Sequence, residues 1–393
     1  MRVLIAGGGI GGLSAALCLR QFGHDVVVFE RAPKLESIGG GIQLSPNGMK
    51  VFQKLGVAES LAEGAFRPAA LEMRMGQSGA QIFQAPLGDW AVKHWGAPYL
   101  HIHRADLIDV LAQALEARAP GALRLGAGVK RYMQTGAGVT VELESGEHVE
   151  GGALIGADGI HSVIRQQMQG AQRPRFTGNV AWRATAPMEA LGDLAPPPTA
   201  CVWVGPGAHC VTYRLRGGSM VNWVGVVERS DWTNESWTEQ GAREEALKDF
   251  EGWHPTLTRI IESASAHYRW ALFDRAPLEH WINGRVALLG DACHPMLPFM
   301  AQGAVMAIED AWMLASCLAR NDVAAAFRAY QEKRLQRTAR AQTASRQNAP
   351  TFHQRETAAQ LAAYGPMWLA GRLAPQLIRK RLDEFYAYDV TKA

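Results

Sequence analysis

The most regular hydrophobic pattern lies near the amino terminus. Val3-Leu4-Ile5-Ala6 is an apolar run of strand length, and after a glycine-rich turn, Leu13-Ser14-Ala15-Ala16-Leu17-Cys18-Leu19 repeats at helical spacing. A break at Gly23-His24 precedes a second apolar run, Asp25-Val26-Val27-Val28-Phe29, which ends in Glu30. The succession predicts a strand–helix–strand unit. Two further runs, Ala153-Leu154-Ile155-Gly156 and Arg285-Val286-Ala287-Leu288-Leu289, read as buried strands closed by acidic turns, Ala157-Asp158-Gly159 and Gly290-Asp291-Ala292. Ser162 and Arg165 follow the first turn on a helix start. After the second turn, Ala301-Gln302-Gly303-Ala304 opens a helix that the pattern carries to about Ala319.

Between about 179 and 271 the texture changes. Segments such as Cys201-Val202-Trp203-Val204 and Met220-Val221-Asn222-Trp223-Val224 read as strands, and Gly205-Pro206-Gly207 and Arg216-Gly217-Gly218-Ser219 as their turns. The expectation is an inserted antiparallel sheet. Eight of the 12 Trp fall between 182 and 281, a density that points to core packing rather than ligand contact. Beyond Arg340 the chain is rich in Gln, Ala and Arg, and 373–382 has the pattern of a basic amphipathic helix packed on the body or at a dimer contact.

Length and composition narrow the class. A chain of 393 residues, 48% hydrophobic and 20% charged, buries a large core and suggests two or three domains. Forty Lys and Arg against 37 Asp and Glu leave +3, too even a balance for a nucleic-acid or anionic-membrane partner. No run of apolar residues is long enough to span a bilayer and no secretory leader is visible, so a soluble, cytoplasmic protein is expected. The five cysteines form no C-x-x-C pair, which argues against disulfides and structural zinc; no metal site is expected.

Gly7, Gly9 and Gly12 fit G-x-G-x-x-G, in which successive glycines permit a tight turn, let backbone approach a pyrophosphate, and let helix and strand pack closely. Glu30 would accept hydrogen bonds from ribose hydroxyls. This unit alone does not distinguish FAD from NAD. Asp291 at a strand end suits a ribityl hydroxyl, although Asp158 and Asp291 are equally readable as a turn former and a helix cap.

In their order along the chain, these motifs resemble the single-component FAD-dependent aromatic hydroxylases of the p-hydroxybenzoate hydroxylase fold. The resemblance is closest to the salicylate, 3-hydroxybenzoate and 6-hydroxynicotinate branch. It rests on Gly7-x-Gly9-x-x-Gly12 with Glu30, Gly156-Ala157-Asp158-Gly159, Gly290-Asp291-x-x-His294-Pro295, Gly41-Ile42-Gln43-Leu44-x-Pro46-Asn47, His103-Arg104-x-Asp106-Leu107 and Met300-Ala301-Gln302-Gly303-Ala304. It implies an α/β fold in which a Rossmann-type FAD-binding domain (1–70, 98–178 and 272–345) carries an inserted antiparallel β-sheet substrate domain (71–97 and 179–271) and C-terminal helices (346–393).

The resemblance also implies roles. Gly12, Glu30 and Arg31 would contact adenosine and pyrophosphate, Arg104 would cross to the pyrophosphate, and Asp291 would hold the ribityl chain. Gln43, Gly303 and Ala304 would flank the isoalloxazine, and Asp158 would support FAD and a transient NADH or NADPH. The implied reaction reduces FAD, adds O2 at the flavin C4a carbon, and hydroxylates a small aromatic; a homodimer is compatible with it.

His209 and Tyr213 lie four apart on one strand, and so project to one side about 13 Å apart. The resemblance makes them the residues that activate a phenolic group. Pro295, Pro298 and Phe299 form the expected apolar wall of the pocket, with proline rings fixing the backbone. His294 is read as structural. Phe299 and Gln43 stand where the 6-hydroxynicotinate enzymes carry His, which favours a less polar aromatic acid or phenol. No second G-x-G-x-x-G occurs, which speaks against two-Rossmann flavin reductases. A relative acting on a larger natural product and a non-catalytic flavin protein are the alternatives; a short, closed pocket around Phe299 argues against the first.

Overall fold

The computed structural model describes residues 1–35, 40–171, 174–229, 231 and 239–393. Its first sheet has six strands in the order Ile282–Asn283, Val286–Leu288, Ala153–Gly156, Arg2–Ala6, Asp25–Phe29 and Leu123–Arg124. All neighbours are parallel except the first pair. Val3, Leu4 and Ile5 at its centre are fully buried, in one core with Leu13 and Leu17 of a helix and with Val139, Val141 and Leu143 of a three-stranded antiparallel sheet (Val129–Gln134, Val139–Leu143 and His148–Gly151), so only a continuous apolar run fits there. The helix Ile10–Gln21 packs between Arg104–Arg118 and Gly303–Leu318.

A second sheet has seven strands, in the order His267–Asp274, Arg175–Pro187, Met220–Glu228, Ala208–Leu215, Ala200–Gly205, Ala70–Met75 and Gln81–Pro86. It is not wholly antiparallel as expected: Ala200–Gly205 runs parallel to Ala70–Met75. Those two strands are far apart in sequence, so no hairpin constrains their direction. Period-two alternation sorts its two faces. Trp182, Trp203, Trp223, Cys201 and Cys210 form one core under the helix Pro255–Ser263, while Ala181, Val204, Val226 and Trp270 pack on the other side with Phe299. Trp232 and Trp237 lie outside the described residues.

The C-terminal part is helical: Val323–Phe352, Thr357–Leu373 and Pro375–Tyr386. The amphipathic stretch expected at 373–382 is divided at Ala374, where Pro375 starts the last helix; proline fits a first helical turn because no donor is needed there. The five cysteines are buried free thiols. Among the described residues, no helix is long and apolar enough to cross a membrane.

Candidate active site

Two glycines of the first turn are fixed by space. Gly7 has φ of +104°, and a Cβ there would lie 2.3 Å from the Ala157 carbonyl oxygen; a Cβ on Gly12 would lie 1.9 Å from the Gly7 oxygen. Strand, turn and helix therefore close only on bare backbone. Gly9 differs. Among the described residues, a Cβ there would meet nothing within 4 Å, so open space lies in front of it. Glu30 holds the turn: its Oε2 accepts from Gly8 N–H at 2.7 Å and its Oε1 from Ala32 N–H at 2.9 Å.

That open space is a cavity of about 340 Å³. Gly9, Ile10, Gly11, Arg104, Asp291, Gly303 and Ala304 line it together with Gln43, His209, Tyr213, Pro298 and Phe299. Residues up to 298 positions apart, from Gly9 to Ala307, thus meet in one chamber. The acidic turns are drawn together by Arg165, which donates to Ala292 O at 3.0 Å and also binds Ile160 O. Desolvation by the surrounding protein raises the Asp291 carboxyl above the usual range, although the residue is exposed to the cavity, against the pull of His294, Arg104 and Arg165. Asp158 caps the helix Val163–Gln169 through Oδ2, at 2.8 Å from Val163 N, while its Oδ1 is buried with no hydrogen bond to any described residue.

Other expected residues fall outside this lining. Gly7, Gly12 and Glu30 shape the turn from behind. Arg31 is exposed and ion-pairs with Glu144 at 3.2 Å. Pro295 is buried, its carbonyl accepting from Gln342 Nε2 at 2.8 Å. His294 lies in a buried charge network: its Nε2 is 2.5 Å from Asp310 Oδ2, and Arg334 binds both Asp310 and Glu309. Cys293, His294 and Asp310 approach within 4.8 Å of one another, but the Asp310 oxygens are already bound by His294 and Arg334.

The strand Ala208–Leu215 explains the pairing of His209 with Tyr213. Ala208 and Cys210 enter the Trp core, so His209, Val211 and Tyr213 face the cavity. The Tyr213 ring packs against His101, with centroids 4.9 Å apart, and burial pushes its phenol upward, so at neutral pH it is a donor. His209 is also buried, its ring edge-on to Phe299 at 4.9 Å, and burial holds its pKa well below the ordinary value. It is neutral and free to accept.

Several residues were not found by sequence reasoning. Arg183 lines the cavity with its guanidinium over the rings of Tyr268 and Trp270, each 5.4 Å from the centroid. Strand alternation places it on that face, but a lone strand arginine carried no signal. Tyr99 donates to Gln43 Oε1 at 2.6 Å. Behind Gln43 and Phe299 lies a second, mostly apolar cavity of about 500 Å³, walled by the two last helices through Met367, Leu377, Ile378 and Leu382. The expected short, closed pocket is therefore corrected. Phe299 shares an apolar cluster with Tyr364 and Met367 of the helix Thr357–Leu373, yet the two last helices leave this chamber beside it, and Arg381 is the one cation lining it among the described residues.

Open space before the bare backbone at Gly9, with Arg104, Asp291 and a helix start at Gly303 whose dipole favours negative charge on the same cavity, fits a flavin dinucleotide. Fold and cleft define a flavin-dependent oxidoreductase. The chain belongs to the FAD binding domain family, whose sequence profile matches residues 1–345. It is 38% identical over 354 residues to a 3-amino-4-hydroxybenzoate 2-monooxygenase of Streptomyces platensis (90% of this chain, 88% of that one). It is 37% identical over 352 residues to a 6-hydroxynicotinate 3-monooxygenase of Bordetella bronchiseptica (88% and 91%). Among solved structures, Klebsiella pneumoniae HpxO complexed with FAD and uric acid superposes with a TM-score of 0.87 at 27% identity, covering 98% of this chain and 97% of that one. The protein is an FAD-dependent monooxygenase of the aromatic-hydroxylase class.

Proposed function

We propose that this flavoprotein hydroxylates a small phenolic aromatic acid with NADH or NADPH as reductant. The observation that carries the reading is the single cavity in which His209 and Tyr213 face the helix start at Gly303. Bound FAD supplies reduction by the nicotinamide cofactor and activation of O2. Gly9, Arg104, Asp291 and Asp158 would hold it, with Gln43, Gly303 and Ala304 beside its ring system.

The chain's own task is to make the substrate ring electron-rich and to keep water out. Neutral His209 accepts the phenolic proton, and Tyr213, held protonated four strand positions away, brackets the other side of the ring as a hydrogen-bond donor. Phe299, Leu297 and Pro298 keep that end apolar, which strengthens both hydrogen bonds. Gln43, Val211, Pro298, Phe299 and Ala301 line both cavities, so a ring at His209 can set a carboxylate toward Arg381, while Glu72, the carboxylate of the second chamber, is already bound by Arg74 at 2.7 Å and by Thr199.

The second cavity also favours a second reading, in which a longer aromatic extends past Phe299 toward the last helices. One screen separates the two. Hydroxylated benzoates, nicotinates, phenols and their extended analogues are assayed for stimulated NADH and NADPH consumption, with products identified by mass. Stoichiometric hydroxylation of a small acid supports the first reading; turnover of extended analogues alone supports the second.

A further inference from the structure

His209 is the inner end of a chain of hydrogen bonds leading out of the cavity. Its Nδ1 lies 2.7 Å from His353 Nε2, and His353 Nδ1 lies 3.1 Å from Glu228 Oε1. Arg355 binds the other oxygen of Glu228. Both rings are buried, at 1% and 5% exposure, whereas the Glu228 side chain is 39% exposed. His209 lines the flavin-side cavity; His353 and Glu228 line a different cleft, of about 580 Å³. Arg175, Asp274 and Arg346 share that outer cleft but bind one another, Asp274 receiving Arg346 at 2.6 Å and Arg175 at 3.4 Å.

The outer carboxylate decides which nitrogen carries each proton. Partial burial works against Glu228, but hydrogen bonds from Arg355 and His353 hold its carboxyl below the usual range, so it is ionised and can only accept. His353 must then offer N–H at Nδ1 and a lone pair at Nε2. His209 must in turn donate from Nδ1, which leaves Nε2 bare for the cavity. Burial lowers the pKa of both rings, and His353 lowers that of His209 further, so both are neutral at neutral pH and one tautomer follows for each.

We infer that His353 and Glu228 are positioning residues that fix His209 as a proton acceptor toward the cavity and carry the accepted proton to the surface. The inference rests on the proposed function, in that the proton comes from a substrate hydroxyl. That O–H proton passes to His209 Nε2 as the Nδ1 proton of His209 moves to His353 Nε2 and the Nδ1 proton of His353 moves to Glu228, then to water. The electron pair stays on the substrate oxygen, neither ring ends charged, and nothing is oxidised. The reverse passage, as the product phenol takes up a proton, restores both tautomers.

The test uses FAD-loaded enzyme with nitrogen-15-labelled histidines. In the wild type, NMR should show His209 protonated at Nδ1 and bare at Nε2; in Glu228→Leu the His209 signals should shift toward the other tautomer. In parallel, with 4-hydroxybenzoate and 3-hydroxybenzoate as probes, His353→Phe and Glu228→Leu should lower kcat for hydroxylation about tenfold or more with little change in KM, and make its rise with pH steeper than in the wild type. A wild-type His209 carrying its proton on Nε2, or tautomers that do not respond to Glu228→Leu, overturns the inference even if the enzyme hydroxylates these acids. If instead the tautomers behave as described and no phenolic acid is turned over, the proposed function falls and the tautomer assignment stands.

Discussion

Tyr213 rests directly on the backbone of Gly41: a Cβ at position 41 would lie 2.2 Å from Tyr213 Cε2 and 2.7 Å from its hydroxyl oxygen. Gly41 is also anchored to the same sheet by its N–H, which donates to Asn222 Oδ1 at 2.9 Å. The phenol proposed to steady the substrate is thus positioned by a missing side chain on another strand.

Gly41→Ala should therefore displace the Tyr213 ring, because neither strand backbone can give way by the required distance. Overpacking of this kind costs about 1–3 kcal/mol. The expected outcome is a protein that still binds FAD and still oxidises NADH, but hydroxylates poorly and releases more peroxide. Comparing product formed with NADH consumed measures it.

Arg381 is expected to select for the acid. A charge-assisted hydrogen bond contributes about 1.5–3 kcal/mol, so Arg381→Met should raise KM for a carboxylated substrate by about tenfold to a hundredfold while leaving kcat within a few fold. Phenols without the carboxyl should not notice the change. Steady-state kinetics on matched acid and phenol pairs decides it.

Much of the flavin side was legible in the sequence because it is built from local runs. Val3–Ala6, Ala153–Gly156 and Val286–Leu288 are buried on both faces, so each shows as an uninterrupted apolar segment followed by the turn that carries its chemistry. The pairing of His209 with Tyr213 was readable for a similar reason, since a strand's period is two. The outer cavity was not. Its wall depends on where helices 357–373 and 375–386 fold back, and Met367, Leu377 and Arg381 are ordinary helix-surface residues until that packing exists. His353 was invisible likewise, being joined to His209 across 144 positions by a tertiary contact.

The charge network beneath the Gly303 helix should be costly to break. Arg334 is fully buried and binds Glu309 at 2.5 Å and Asp310 at 2.6 Å; Asn47 Nδ2 also donates to Glu309, at 2.6 Å. Arg334→Met leaves two buried carboxylates short of their main partner, a change expected to cost about 3–5 kcal/mol. Denaturant unfolding of the variant measures it, and the loss should be smaller at acid pH, where the carboxylates can protonate.

Acid should weaken the fold through buried histidine. Burial pushes His101 down to about 3 from its ordinary 6.5, with the Arg214 backbone only partly offsetting it. Between those values the unfolded chain binds a proton that the folded one does not, so stability falls as pH drops through 6.5 and stops falling near 3. The slope is about 1.4 kcal/mol per pH unit for one such group. His101→Phe should flatten the fall in melting temperature between those limits relative to the wild type.

The proposed function requires one cavity to hold FAD at Gly9, Asp291 and Gly303 and to present an aromatic substrate to His209 and Tyr213. Single-turnover hydroxylation by flavin-loaded Tyr213→Phe tests it most directly. The account predicts a yellow protein with full FAD content in which product formation from a phenolic acid is slowed about a hundredfold. A variant that hydroxylates at the wild-type rate, or a wild-type protein that stays colourless with excess FAD, would contradict it.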